Sequence, residues 1–509
     1  MNIGNKLISN SVFLFLDWIA VTALSLTFWL IIGKTLPAES YGILAASVSI
    51  ITILSGASLL GLQTAVFKLI SEYKERNRMG KISNLVRFSI KVGLSVSLGI
   101  SVSLALLSTI LSPILNLPVD AILVTSAGVF IFSTWGLTTT IMYGFQNMKR
   151  VMKTNFIGNV VKVAVSLPLI LLGFSYFGPL TGLLLSIVAI ILLRIDTLLL
   201  ARKKFEDSGS KSSGLDKKSI FTYSLSAFIT AMAMLGFANT PNIFLNALAG
   251  PAITGLFAIS LTITSPILSI PSVLNSALFP ITSALSSEKG GKERNRVLVN
   301  MILRYASFIT LPLISVLLVF SGTIILLFSS SDYLPAVELL PIIGAGAFLF
   351  GIAGILSNTI YAMKKPAVSR NITILALAVF LVLAFPLTMW FSAVGMAFAY
   401  LASVFVFCSA SMLYLNKLIK MSIEWMSMLK VVVGVFIFTA IIFGMDAVIE
   451  DKMVKIVGVG FSLMLYLLVM IPLRFYKRED LRILEFMSTK SPVGKRIFSG
   501  IRTFLSKYV

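Results

Sequence analysis

Asn155, Asn159, Lys162 and Ser166 recur at intervals of four, three and four residues in an otherwise apolar stretch, "TNFIGNVVKVAVSLPLILLG" (Thr154–Gly173). That spacing puts them on one face of an α-helix, with Val, Ile, Leu and Phe opposite. A lysine in mid-span costs about 2.5–3.5 kcal/mol on insertion scales, and hydrocarbon offers nothing to its three donors. The stripe must therefore face protein or water. One chemistry that repays the cost is anion attraction: an ammonium in a water-filled, low-dielectric cavity draws a phosphate or pyrophosphate strongly. The alternative is structural, with Lys162 paired to a carboxylate or reaching the interface along its apolar stem. Lys162 stands about 13 Å along the helix from the basic end of the stretch, near mid-membrane, at the limit of that reach.

Asp17, in the first apolar stretch, is the partner the sequence offers. It would neutralise Lys162 at rest or bind a coupling proton or cation, and a plain helix-packing role is the alternative. A second polar stripe, Asn239, Asn242 and Asn246, is interrupted by Pro241. Its amides would hydrogen-bond the hydroxyls of a polar cargo beside the carbonyl that the proline frees. Thr262, Ser265, Ser269, Ser272 and Ser276 share one face of the next stretch, which reads as a helix-contact surface or the wall of a polar path. Gly351, Gly354, Asn358 and Tyr361 read as a close-packing face. Arg194 is expected to extend to the interface, with a cavity role second, and its i, i+2 spacing to Asp196 keeps those two from pairing.

Other chemistries are excluded. The chain has one cysteine (Cys408) and no histidine, so an internal disulfide, a Cys/His metal site and a histidine base are absent. There is no GxxxxGK[ST] phosphate loop. No metal and no cofactor is expected.

The elements that position these residues follow from composition. Of 509 residues, 57% are hydrophobic and 12% charged; a soluble chain carries about 25% charged residues. Repeated apolar runs of 18 or more residues mean an all-α integral membrane protein. Fourteen spans are expected, at about 11–33, 41–66, 88–111, 119–145, 154–174, 177–200, 220–246, 253–279, 305–328, 337–362, 372–391, 393–415, 429–449 and 453–473. The first run is too long for a signal peptide and reads as a retained helix.

The net charge of +22 is a matter of placement. Segments after even-numbered spans are basic, as is the tail from Arg474. Of 42 basic residues, only Lys34, Lys452 and Lys455 fall on the other side. By the positive-inside rule both termini are cytoplasmic, in a multi-pass protein of the cell membrane. The charge then marks topology and attracts anionic lipid. No compact basic-aromatic module is present, so nucleic acid is not an expected partner.

Two halves are legible. "GILAASVSI" at Gly42 matches "GLFAISLTI" at Gly255, "YGFQNMKRVMKTN" at Tyr143 matches "YAMKKPAVSRN" at Tyr361, and Gly182 matches Gly395, all in order. Each half starts on the same side, so the repeats are parallel. The expected organisation is a six-helix lobe over 1–201, a cytoplasmic linker over 202–219, a second six-helix lobe over 220–416 around a central cleft, helices 13 and 14 over 417–473, and a basic cytoplasmic tail over 474–509.

At this point the sequence resembles the polysaccharide or oligosaccharidyl-lipid flippases of the multidrug/oligosaccharidyl-lipid/polysaccharide exporter superfamily. The resemblance rests on "LPAESYGILAASVSI" (Leu36–Ile50), "GLQTAVFKLISEY" (Gly61–Tyr73), "YGFQNMKRVMKTN", "NTPNIFLNALAGPAITGLFAIS" (Asn239–Ser260) and "FPITSAL" (Phe279–Leu285). Lys68 departs from the pattern, standing where such proteins often carry arginine, so no bidentate phosphate contact is assigned to it. The resemblance implies alternating access: the charged head of a lipid-linked glycan enters the cleft while its tail stays in the bilayer. Proton or sodium coupling and partner proteins of glycan synthesis fit this reading. A drug or metabolite exporter of the same fold is the alternative. A membrane glycan polymerase or ligase is disfavoured: the outer segments are short, and Asp332, Glu338, Asp446, Glu450 and Asp451 form no acid–base pair. The expected function is transport, not catalysis.

Overall fold

The computed structural model describes residues 21–76, 79–206, 217–286, 288–421, 424–449 and 451–476. Asp17, most of the linker and the tail beyond 476 lie outside them. Among the described residues the chain is helical, without strands. In order the elements are α1 (Val21–Thr35), α2 (Ala38–Ser58), α3 (Leu62–Glu75), α4 (Met79–Leu106), α5 (Ser108–Leu115), α6 (Val119–Gly144), α7 (Met148–Leu171) and α8 (Phe177–Glu206). They continue with α9 (Lys217–Ala249), α10 (Pro251–Leu285), α11 (Gly291–Val319), α12 (Ser321–Phe328), a 3-10 turn (Ser331–Glu338), α13 (Leu339–Ala362), α14 (Pro366–Ile419), α15 (Trp425–Val448) and α16 (Lys452–Val469).

Among the described residues eleven helices are long and apolar enough to cross a membrane, and this is a multi-pass membrane protein. The sequence reading expects fourteen spans. α1, within its described part, and the apolar stretch of α16 fall short of that length. α14 is one run of 54 residues broken at Ser392, whose φ of 53° and ψ of −130° are not helical. The break falls between the two expected spans 372–391 and 393–415.

Local chemistry sets several boundaries. α2 follows Pro37 and α6 follows Pro118, both extended, with Glu39 and Asp120 in the first turns where the helix dipole favours an acid. Asp451 caps α16 by accepting from the Val454 amide at 2.9 Å. One boundary differs from the sequence reading. The expected span 41–66 ends at Ser58, because Leu60 (φ 48°) and Gly61 (φ 73°) turn left-handed and start the separate amphipathic helix α3.

By packing, the chain forms two compact units. The first gathers residues up to Ile263 with Ile325–Leu339 and Arg370–Ser403. Its core has one cluster of α2, α4 and α6 (Ile43, Ile50, Leu104, Ile122, Val129) and another of α3, α4 and α6 (Leu62, Val66, Ile70, Leu85, Ile141). The second gathers Thr264–Ile324, Leu340–Ser369 and the residues from Val404 on. There α15 and α16 close on α11 through Phe308, Phe438, Tyr466 and Phe475, with the Phe308 and Phe475 rings stacked 4.7 Å apart. Lys455 pairs with Asp446 across the α15–α16 turn. Gly351 abuts Pro271 as a packing residue, whereas Gly354 faces open space.

Candidate functional site

α7 and α8 form a tight pair within the first unit. Gly158 lies against Ile190, and Gly182 lies against Ser166 and the Lys162 carbonyl, so the backbones approach closely. This contact fixes which face of α7 turns inward. The buried residues of α7 are Met148, Val151, Thr154, Gly158, Lys162 and Ser166, while Asn155 and Asn159 flank them half-buried. The stripe expected from the sequence is thus rotated slightly, because small residues, not amides, make the helix contact.

Lys162 is 5% exposed. Its ammonium sits 3.3 Å from the Ser25 hydroxyl and 4.4 Å from the Phe28 ring centroid, both on α1. Among the described residues no carboxylate lies within ion-pair distance of it. The ring and hydroxyl stabilise the charge without cancelling it. Asp17, the proposed partner, lies outside the described residues.

Arg194 on α8 differs from expectation. It does not extend to the interface: it is fully buried. Its guanidinium donates to Thr154 Oγ1 at 2.9 Å, to Thr139 Oγ1 at 2.6 Å and to Asn155 Oδ1 at 2.8 Å. Three acceptors on α6 and α7 match the fixed fork of a guanidinium. The available signal was the polar set Thr139, Thr154 and Asn155, facing spans at similar depth. Asn155 in turn accepts the Asn159 amide on its main-chain carbonyl at 3.0 Å.

The second stripe runs along α9. Asn239 donates to the Leu235 carbonyl of its own helix at 3.0 Å. Asn242 donates to Ser49 Oγ on α2 at 3.1 Å. Asn246, 1% exposed, donates to the Leu115 and Asn116 carbonyls at 2.6 and 3.1 Å. The structure brings Lys162, Asn155 and Asn159 together on α7, and engages Asn242 and Asn246 with α2 and the α5 end instead. Thr262 of the hydroxyl stripe meets Tyr41, their oxygens 3.0 Å apart. Among the described residues no group of side chains could hold a metal ion.

Solved transporters of the MOP superfamily share this all-α fold. The chain matches an inward-facing multidrug resistance MATE family transporter of that superfamily with a TM-score of 0.64 and 18% identity, over 79% of this chain and 96% of the other. It matches lipid II flippase MurJ in an inward closed conformation with a TM-score of 0.65 and 15% identity, over 91% and 98%. A MOP superfamily transporter from Pyrococcus furiosus, described as having a binding pocket of reversed polarity, matches with a TM-score of 0.56 and 17% identity, over 80% and 96%. No curated protein sequence matches. The chain belongs to the polysaccharide biosynthesis protein family, whose profile matches residues 31–338.

Proposed function

We propose that the protein is a flippase that carries an isoprenoid-(pyro)phosphate-linked oligosaccharide or polysaccharide precursor from the cytoplasmic to the outer leaflet. One observation carries the reading: in a transporter fold of a polysaccharide biosynthesis family, Lys162 is a buried cation with no carboxylate partner among the described residues. Such a charge is costly unless an anion visits it. The lipid phosphate is that anion, and the amides of Asn155, Asn159, Asn239 and Asn242 meet sugar hydroxyls along the path. Two six-helix lobes, 1–201 and 220–416, alternate in access around the cleft, joined by the 202–219 linker.

Both termini face the cytoplasm of a cell membrane on this reading, and the basic tail from 474 lies on the anionic inner leaflet. Asp17 binds the coupling proton or sodium ion, and the last two helices of 417–473, α15 and α16, receive glycan-synthesis partners. The protein is not an enzyme: no bond is made or broken in the cargo.

The test is reconstitution into liposomes with a fluorescent polyprenyl-pyrophosphate oligosaccharide. Wild type should move the lipid across the bilayer and Lys162→Met should not, with both retaining their fold. Equal movement by both would make the lysine structural. No movement by wild type under an imposed proton or sodium gradient would transfer the case to an exporter of a soluble solute.

A further inference from the structure

Residues from the two sequence repeats meet, within the first unit, at the ends of α2 and α10 remote from the basic loops. Gly42 and Gly255, equivalent positions in the repeat, lie in each other's contact. A methyl on Gly42 would strike the carbonyl of Pro251, four residues before Gly255. A methyl on Gly255 would strike the carbonyl of Ala38, four residues before Gly42. The two helix ends therefore cross main chain on main chain, each seated in the other's first turn.

A second reciprocal pair stands beside the crossing. Asn116 follows the last residue of α5 and adopts a left-handed conformation (φ 49°). Its amide donates to the Asn246 and Ala247 carbonyls in the last turn of α9, at 3.2 and 2.9 Å. Asn246 answers by donating to the Leu115 and Asn116 carbonyls at the end of α5. Each asparagine thus caps carbonyls at the end of the other helix, where the internal ladder runs out; the Asn246 carbonyl accepts the Gly250 amide as well. Asn116 and Pro251 line one open cavity of about 340 Å³ with Glu39, Ser112 and Pro118, so the amide pair and the crossing are neighbours.

We infer that Asn116 and Asn246 are the two halves of a latch that holds the crossed ends of α2 and α10 together, and that the latch opens in each transport cycle. The chemistry suits release. The four carbonyls it caps lie at helix ends, where water replaces the amides on opening. The Asn246 Oδ1 atom is buried without a partner among the described residues, so closure leaves one polar group unsatisfied and opening hydrates it. Closure is held but poised. The inference rests on the transporter reading for its cycle, but the latch itself is readable without cargo.

Two variants separate the latch from folding. Asn116→Gly removes the amide and keeps a residue at ease in the left-handed conformation. Asn246→Leu keeps the volume and removes the donor. In a Cys408→Ala background, spin labels at Ile114→Cys and Ala252→Cys, both exposed positions, report the separation across the junction in vesicles by pulsed electron resonance. The expected result is one short distance with the latch intact, and a long-distance population raised about tenfold in either variant, the effect of losing two hydrogen bonds. Unchanged distances in Asn116→Gly, which needs no repacking, overturn the latch whatever the transport data say. Shifted distances without movement of any lipid-linked glycan leave the latch standing and overturn the flippase reading.

Discussion

The Lys162 ammonium lies 4.4 Å from the centroid of the Phe28 ring, in cation–π contact and 3.3 Å from Ser25 Oγ. The aromatic face holds the cation in place while leaving its charge uncancelled, the state that the phosphate of the proposed cargo would meet. Phe28 is itself 2% exposed, so the contact is dry and at the strong end of its range, about 2 kcal/mol.

Phe28→Leu should therefore impair transport while keeping the lysine. The ammonium loses its seat, and the rate of lipid movement in liposomes should fall about three- to thirtyfold. Phe28→Tyr, which keeps the ring face, should stay much closer to wild type. Equal rates for Phe28→Leu and wild type would sink the positioning role.

Arg194 should be a stability residue of the first unit. Its three hydrogen bonds join α6, α7 and α8. Arg194→Lys places a point charge where a fork is needed and should cost about 3 kcal/mol. Thermal unfolding in detergent should show a midpoint several degrees lower. A midpoint indistinguishable from wild type would mean that lysine satisfies the same acceptors.

Two glycines should respond oppositely to the same change. Gly42→Ala drives a methyl into the Pro251 carbonyl and should destabilise by about 2 kcal/mol. Gly99→Ala, in α4 with open space around it, should stabilise by about 0.5–1 kcal/mol through helix propensity. Melting curves of the two variants under one condition decide it, and a shift of the same sign in both would contradict the crossing geometry.

Tyr176, in the turn between α7 and α8, donates to both Asp120 oxygens at 3.1 and 3.2 Å. Burial first, then the Asp120 charge and hydrogen bond, push its phenol from 10.0 up to about 12. Between these values the folded protein keeps a proton that the unfolded chain loses. The stabilisation is thus full below pH 10 and lost as pH rises through about 12. Asp120→Asn should lower the titration toward the ordinary tyrosine value, read as the tyrosinate absorbance difference against Tyr176→Phe. An unmoved titration would show that the carboxylate plays no part.

Much of the fold was legible because membrane helices announce themselves by length and apolarity. The expected starts at about 41 and 119 fall close to those of α2 at Ala38 and α6 at Val119. The break at Leu60–Gly61 was hidden, since Gly61 sits inside a run whose hydrophobicity continues into α3 and only its backbone conformation ends the helix. The site was half legible. Lys162 stood out because a charge in an apolar run has few explanations. Arg194 was misplaced because its depth allowed an escape to the interface that three polar neighbours on other helices made unnecessary. The partners of Asn246 could not be read at all: they are main-chain carbonyls 130 residues away, and a carbonyl carries no sequence signature.

The crossing of Gly42 and Gly255 also bears on mutational tolerance. What a larger side chain would collide with there is main chain, which no second-site substitution can shrink. The two positions should therefore admit no pairwise rescue, unlike Phe28 or Arg194, whose neighbours are side chains that can change size or polarity. In a library selected for transport, glycine should return at both positions independently, each blind to what stands at the other.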